Sequence, residues 1–293
     1  MNAKTVLITG ANAGIGLRAA HGLAQQGHTV VMLARNAERG EVAQQQVIEQ
    51  SGNPNVDLII ADMASQSSIR QAVTVFEERH SRLDALINNA ANFDISMKRP
   101  QLTAEGVETI FATNHLGPFL LTNLLVDRLK AAAPSRVINI ASKGLLTYPF
   151  LSIEFDNLNG QRKFSAQHAY YHAKLAQVIF TLDLAERLKD AGVSVNCIRV
   201  PSVRLDAGRY DHVPALMRSI YQFKMRFALP PEAVAGLYVD MATADKYAPM
   251  TGQYVDETGR SVSLPRNAQD HELRAKLWQV SEELTQQQRV VSA

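Results

Sequence analysis

The chain has 293 residues, 46% of them hydrophobic, a formal net charge of +2 and one cysteine. That length suits one large α/β domain or two small ones, and so balanced a charge gives nucleic acid no electrostatic reason to bind. The lone Cys197 excludes an internal disulfide framework and fits a reducing, cytoplasmic setting. No apolar run approaches the roughly 18 residues of a membrane span, and the strand-like start leaves no room for a signal peptide.

Lys4–Thr9 (KTVLIT) predicts a first strand and Leu17–Gln26 a helix. Between them lie Gly10, Ala11, Asn12, Ala13, Gly14, Ile15 and Gly16. A strand, a glycine-rich turn and a helix form a seat for a pyrophosphate. The glycines allow the tight turn and the close approach of backbone amides, and the positive helix start faces the anion. The spacing is G-x-x-x-G-x-G rather than the commoner G-x-G-x-x-G. His28–Ala34 predicts the second strand. An acid near its end would bond an adenosine 2′-hydroxyl, but Arg35-Asn36 stand there instead. A guanidinium suits a 2′-phosphate through paired hydrogen bonds, so Arg35 points to NADP(H); a plain surface arginine is the alternative. Glu38–Gln50 reads as a polar helix and Val56–Ala61 as a third strand ending in Asp62-Met63. Asp62 could accept from an adenine amino group, cap the helix that follows, or do both.

Ser65–His80 predicts a helix and Leu83–Asn88 the fourth strand, followed by Asn89-Ala90-Ala91, whose small residues would let a flat ring lie close. Thr103–Lys130 is helix-like with a break near Gly117-Pro118, and Asn114 inside it needs a partner if buried. Ser135–Ala141 predicts the fifth strand. Ser142 stands just past its end, where open α/β sheets bind ligands, although a turn serine is the plain alternative.

Gln167–Asp190 carries an apolar stripe at helical spacing and includes Tyr170-Tyr171-His172-Ala173-Lys174. Tyr170 and Lys174 stack one turn apart. An ammonium favours the phenolate, and a phenol so tuned can pass a proton to or from a substrate oxygen. By itself Y-x-x-x-K is common by chance. His168 and His172 have metal-pair spacing without a third ligand, so no metal is expected. Val193–Val200 predicts a sixth strand, Glu232–Ala244 a helix, Gly252–Val255 a short strand and 268–288 a C-terminal helix with Trp278 packed. The alternation predicts a single doubly wound α/β domain of the Rossmann type over 1–293, with a mostly parallel sheet flanked by helices.

Together these residues resemble the short-chain dehydrogenase/reductase family over nearly the whole chain. The resemblance rests on Thr9-Gly10-x-x-x-Gly14-Ile15-Gly16, on Asn88-Asn89-Ala90, and on Asn114, Ser142, Tyr170 and Lys174 in the order of a catalytic tetrad. Finer detail is similar to the retinol-dehydrogenase-like branch: Asn114-His115-Leu116-Gly117-Pro118-Phe119, the insertion Leu151–His168, Lys174-Leu175-Ala176 and Leu277-Trp278. The resemblance implies that Tyr170 is the general acid or base, that Lys174 tunes it and bonds the nicotinamide ribose, that Ser142 polarises the carbonyl, and that Asn114 holds a proton-relaying water. It also implies a cofactor lying against Gly10, Asn12, Gly14, Ile15, Gly16, Arg35, Asn36, Asp62, Met63, Asn89, Ala90, Tyr170, Lys174, Pro201 and Val203. The branch often prefers NADP(H), in agreement with Arg35. Tyr171 is the competing phenol, but the family pattern and the four-residue stacking favour Tyr170.

Three positions depart from the family pattern: Ser202 where glycine usually follows Pro201, Leu205-Asp206 where a threonine often anchors the carboxamide, and Ala91 for glycine. The segment 206–229 falls where the family keeps its substrate lid. It reads as a packed helix, or else as a contact for a lipophilic or anionic substrate or a membrane surface. The expected function is NADP(H)-dependent hydride transfer to or from a carbonyl or alcohol carbon of a small, lipophilic substrate. Two alternatives stay open: reduction of a conjugated carbon–carbon double bond, and a cofactor-binding regulator or scaffold without turnover, motivated by Ser202 and Leu205. Relatives pair through the helix bearing Tyr170 while some are monomers, so a homodimer is an open expectation.

Overall fold

Seven strands, β1 (Thr5–Thr9), β2 (Thr29–Ala34), β3 (Val56–Ile60), β4 (Ala85–Asn88), β5 (Ser135–Ser142), β6 (Val193–Val200) and β7 (Tyr254–Val255), build the sheet. They lie in the order β3-β2-β1-β4-β5-β6-β7, and each neighbouring pair is parallel. This computed structural model describes residues 3–94, 96–204 and 228–285. Strand order reverses at β1, which pairs with β2 through Val6↔Val30 and with β4 through Val6↔Ala85. Beyond the carboxyl ends of these two strands lies the crevice where such a sheet takes its ligand.

Both sheet faces are covered, so the strands read as near-continuous apolar runs. Val6 and Ile8 join one buried cluster with α1 (Gly14–Gln25), α2 (Ala37–Ser51) and α7 (Pro231–Thr243). Leu7, from the same strand, joins the opposite cluster with α3 (Gln66–Arg79), α5 (Gly117–Ala131) and α6 (Ala166–Arg187). α7 is fastened to β5 by Arg136, whose Nη1 donates to the carbonyls of Met241 and Ala244, both at 2.9 Å. The C-terminal helix α8 (His271–Thr285) packs on α6. Its Trp278 sits 5.0 Å from the Phe119 ring, with the Arg187 guanidinium 3.8 Å over the indole. Gln66 and Arg70 of α3 donate to its last carbonyls, Leu284 and Thr285.

Several local expectations shift. Residues 103–108 are not helical; α4 is the single turn Thr109–Phe111, and a π-turn, Ala112–Leu116, leads straight into α5. The irregularity expected at Gly117-Pro118 therefore falls just before them, because Pro118 sits in the first turn of α5, where its missing N–H costs nothing. Ser142 is the last residue of β5, paired with Val200, rather than a residue beyond it. Asp62 does not cap α3. Ser65 does, accepting from the Ser68 amide at 3.3 Å, while Asp62 accepts from the Ala64 amide at 2.9 Å and closes the preceding turn. Leu205, Asp206 and the expected lid as far as residue 227 lie outside the described residues.

Candidate active site

The glycine turn is shaped by what cannot fit in it. Gly10 has φ +66°, and a Cβ there would lie 2.9 Å from Ala90 Cα. A Cβ on Gly16 would run into the Gly10 carbonyl oxygen and stand 2.6 Å from Asn89 Nδ2. Gly14 differs: it needs its backbone angle (φ +59°), and the space beside it is open. Asn89 Nδ2 donates to the carbonyls of Thr9 at 2.9 Å and Gly10 at 3.3 Å, and the Ala90 amide donates to Thr9 Oγ1 at 2.9 Å. The ends of β1 and β4 are thus laced together, with Asn12 and Ile15 half-buried at the turn.

α1 starts at Ala13 with no side-chain cap. By contrast α2, α3 and α6 are capped by Asn36, Ser65 and Ser165. The first-turn amides of α1 thus lack the side-chain acceptor that those three helices have, beside a glycine with open space. That cradle fits a pyrophosphate.

Along the rim, Arg35 is exposed one residue past β2, and Asn36 spends its side-chain oxygen on the Arg39 amide at 2.8 Å. Met63 is buried, and its carbonyl occupies the space a side chain at Gly117 would need. Pro201 leads out of β6 to buried Val203, which bridges to Leu229; the Leu229 amide donates to the Ser202 carbonyl at 3.1 Å.

The four expected catalytic residues come from β5, α6 and the π-turn. Lys174 is only 2% exposed, and its Nζ donates to the Ile140 carbonyl at 2.8 Å. Burial pulls its pKa from 10.5 down to about 8. The same Nζ lies 5.6 Å from the centre of the Tyr170 ring. Tyr171 turns elsewhere: its ring fills the space beside Gly144 and packs 4.8 Å from Tyr148. Ser142 Oγ accepts from the Gly144 amide at 3.2 Å, and its carbonyl accepts from the Tyr254 hydroxyl at 3.5 Å.

Asn114 sits within the π-turn, a local irregularity frequent at functional sites. Its Nδ2 donates to the carbonyls of Asn92 and Ile110, each at 2.8 Å, so both amide hydrogens are committed and the orientation of the amide is fixed. Its buried Oδ1 has no hydrogen-bond partner among the described residues, an acceptor suited to a bound water.

The motif residue Asn88 has a structural role that its sequence context does not show. Asn88 faces inward, donating to Thr122 Oγ1 at 3.0 Å and Asn139 Oδ1 at 2.8 Å, and Asn139 in turn donates to Thr181 Oγ1 at 3.0 Å. This buried polar ladder fixes the end of β4 against α5 and α6. Phe93, packed on the Tyr170 ring at 4.2 Å between centroids, belongs to no motif in the sequence. Thr9, which opens the glycine motif, accepts from the Ala90 amide through Oγ1. Of the histidine pair, His172 Nε2 accepts from the Glu154 amide at 2.9 Å and His168 approaches the Glu154 carboxylate at 3.3 Å. Among the described residues no group of three His, Cys, Asp or Glu is placed to hold a metal ion.

The profile described as short chain dehydrogenase matches residues 4–210. The chain belongs to that family. This short chain dehydrogenase is 38% identical to human retinol dehydrogenase 13 over 286 residues, covering 96% of the chain and 84% of that protein. It is 36% identical to human retinol dehydrogenase 14, covering 96% of the chain and 86% of the relative. Among solved structures, an uncharacterised Mycobacterium paratuberculosis protein superposes with a TM-score of 0.71 at 30% identity, covering 97% and 93% of the two chains. L-sorbose reductase from Gluconobacter frateurii, solved with NADPH and L-sorbose, superposes with a TM-score of 0.71 at 19% identity, covering 91% and 98%, a likeness of fold alone. The chain is an oxidoreductase of the short chain dehydrogenase family, with a Rossmann-type sheet.

Proposed function

We propose that this oxidoreductase is NADP(H)-dependent and interconverts a carbonyl and an alcohol on a small, lipophilic substrate. The observation that carries the proposal is the buried Lys174 ammonium 5.6 Å from the Tyr170 ring, on a helix packed against β5, the strand that ends in Ser142. A bound nicotinamide supplies or accepts the hydride. The glycine turn and the uncapped start of α1 would hold the pyrophosphate, Asp62 and Met63 the adenine side, and Pro201 and Val203 the nicotinamide side. Ser142 Oγ donates to the substrate oxygen and orients it. Tyr170 gives its phenolic proton to that oxygen in reduction and takes it back in oxidation. Lys174, still protonated at neutral pH, favours the phenolate that remains. The unpartnered Asn114 Oδ1 suits the water through which the proton is replenished from solvent.

Preference for NADP(H) is supported by exposed Arg35 at the end of β2, where no carboxylate stands to repel a 2′-phosphate. A lipophilic substrate is supported by the names of the relatives and by Phe93, Leu146 and Phe150, large apolar side chains left exposed on the loops after β4 and β5. We further propose a cytoplasmic location, for which the single buried thiol is the support; cell fractionation tests it. A homodimer is compatible with this site, since each residue named comes from one chain; sedimentation velocity tests it.

The deciding experiment follows oxidation of NADPH and NADH over a panel of aldehydes, ketones and quinones. The expected result is turnover with NADPH favoured by about tenfold or more in kcat/KM. Binding of NADPH with no turnover on any substrate would return the chain to the regulator reading. Products saturated at carbon–carbon bonds with an intact carbonyl would move the chemistry to the double bond.

A further inference from the structure

Phe76, Phe111, Phe119 and Phe180 are each 2% exposed or less, whereas Phe93 is 39% exposed. Its ring nevertheless packs against the Tyr170 phenol, with centroids 4.2 Å apart and planes inclined by 34°. The end of β4 and the loop that carries Phe93 are tied down at four residues. Asn88 bonds Thr122 and Asn139, Asn89 bonds Thr9 and Gly10, and Ala90 bonds Thr9. The last tie, immediately before Phe93, joins the Asn92 carbonyl to Asn114 Nδ2 at 2.8 Å. An aromatic ring kept partly in water forgoes apolar burial that a core position would give it. Here the backbone of the site itself fixes that ring beside the proton donor. With that ring against the phenol, a substrate oxygen reaching the hydroxyl would pass the edge of Phe93, and the group attached to the reacting carbon would run along its exposed side.

We propose that Phe93 is a specificity-determining residue: an aromatic wall that selects carbonyl compounds whose adjacent group is flat over those whose adjacent group is tetrahedral and puckered. A planar group can lie in offset-stacked contact with the ring, whereas a puckered one holds its carbons away from it. The inference rests on the carbonyl–alcohol reading above. Benzaldehyde and cyclohexanecarboxaldehyde isolate the difference, having the same carbon skeleton in flat and puckered form. The quantity to measure is the ratio of their kcat/KM values with NADPH. Comparing that ratio between variants cancels the intrinsic reactivity of the two aldehydes.

Relative to the parent protein, the ratio should fall about tenfold in Phe93→Ala and by a smaller factor in Phe93→Leu, which keeps apolar bulk without the flat ring. A ratio unchanged in both variants overturns the assignment. The affinities of the unreactive benzamide and cyclohexanecarboxamide for the NADPH-loaded protein, read by calorimetry, should shift the same way. If the parent protein reduces neither aldehyde, the amide affinities decide whether Phe93 recognises a flat group, and affinities that shift equally for both amides in Phe93→Ala overturn the assignment.

Discussion

The end of β1 and the end of β5 face the same crevice but are built by opposite means. At β1 the functional groups are backbone: amides at the uncapped start of α1, and a turn whose side chains are deleted at Gly10, Gly14 and Gly16. At β5 they are side chains, and the decisive one is a lysine buried to 2% exposure against the Ile140 carbonyl. A backbone seat demands space and a helix direction, and it carries no net charge of its own. A side-chain site demands burial of a charge, and the fold bears that cost. Lowering the Lys174 pKa from 10.5 to about 8 corresponds to about 3 kcal/mol, at 1.36 kcal/mol per pH unit.

The contrast breaks first at the phenol. Tyr170→Phe should lower kcat about 10²- to 10⁴-fold, the usual worth of a positioned acid, while NADPH titration of intrinsic fluorescence stays near the parent curve. Near-parental turnover would remove Tyr170 from the chemistry. Lys174→Met comes next. It should lower kcat by about 10²-fold and yet leave the protein at least as stable at pH 7, because a buried ammonium is gone. The pH dependence supplies the sign. The folded pKa lies below the unfolded one, so the unfolded chain holds the extra proton between about pH 8 and 10.5. The penalty is complete below pH 8, and stability rises as pH climbs through that window. Urea unfolding at pH 7 and pH 9.5 should therefore show a Lys174 contribution in the parent protein that the variant lacks. A variant much less stable at pH 7, with an unchanged pH slope, would mean that the lysine is a net structural asset.

The same contrast explains what could be read in advance. Glycine spacing is written in the chain, since Gly10, Gly14 and Gly16 follow a β-branched run and open a helix, and a doubly wound, mostly parallel sheet follows from the alternation of strand-like and helix-like runs. The family match confirms the fold that these patterns implied. The side-chain half was legible only as spacing. Tyr170 and Lys174 are four residues apart, but nothing local says that the lysine is buried or that Tyr171 turns away to fill the space beside Gly144. The break expected near Gly117-Pro118 takes the form of a π-turn, Ala112–Leu116, directly before them, because apolar periodicity does not distinguish a widened turn from a proline break. Asn88 resembled a site residue, yet its amide belongs to a buried ladder with Asn139 that only the pairing of β4 with β5 creates.

Within the backbone seat, the glycines are not equivalent. Gly16→Ala forces a methyl into the Gly10 carbonyl and Asn89 and should cost about 1–3 kcal/mol of stability, as overpacking does. Gly14→Ala meets no atom within 4 Å but must hold φ +59°, a strain of about 1–2 kcal/mol. The sharper difference is in the ligand. A methyl at Gly14 points into the space proposed for the pyrophosphate, so NADPH affinity should fall more than stability does. Gly16→Ala should lower both together. Thermal unfolding with and without NADPH separates the two, and equal loss of ligand stabilisation in both variants would show that the turn is only structural.

The smallest expected effect lies at the rim. Arg35 is exposed, so in the free protein its removal should leave stability within about 0.5 kcal/mol. With cofactor bound, a guanidinium paired to a 2′-phosphate contributes about 1.5–3 kcal/mol, as hydrogen bonds to charged groups do. Arg35→Ala should thus raise the dissociation constant of NADPH roughly ten- to a hundredfold while leaving that of NADH within about a factor of two. The effect should shrink with added salt, because the pair lies at the surface. Calorimetric titration of both cofactors at low and high ionic strength gives all four constants. Parallel weakening of NADPH and NADH would mean that Arg35 does not read the phosphate. The backbone seat would then bind either cofactor alike, without a side chain to choose between them.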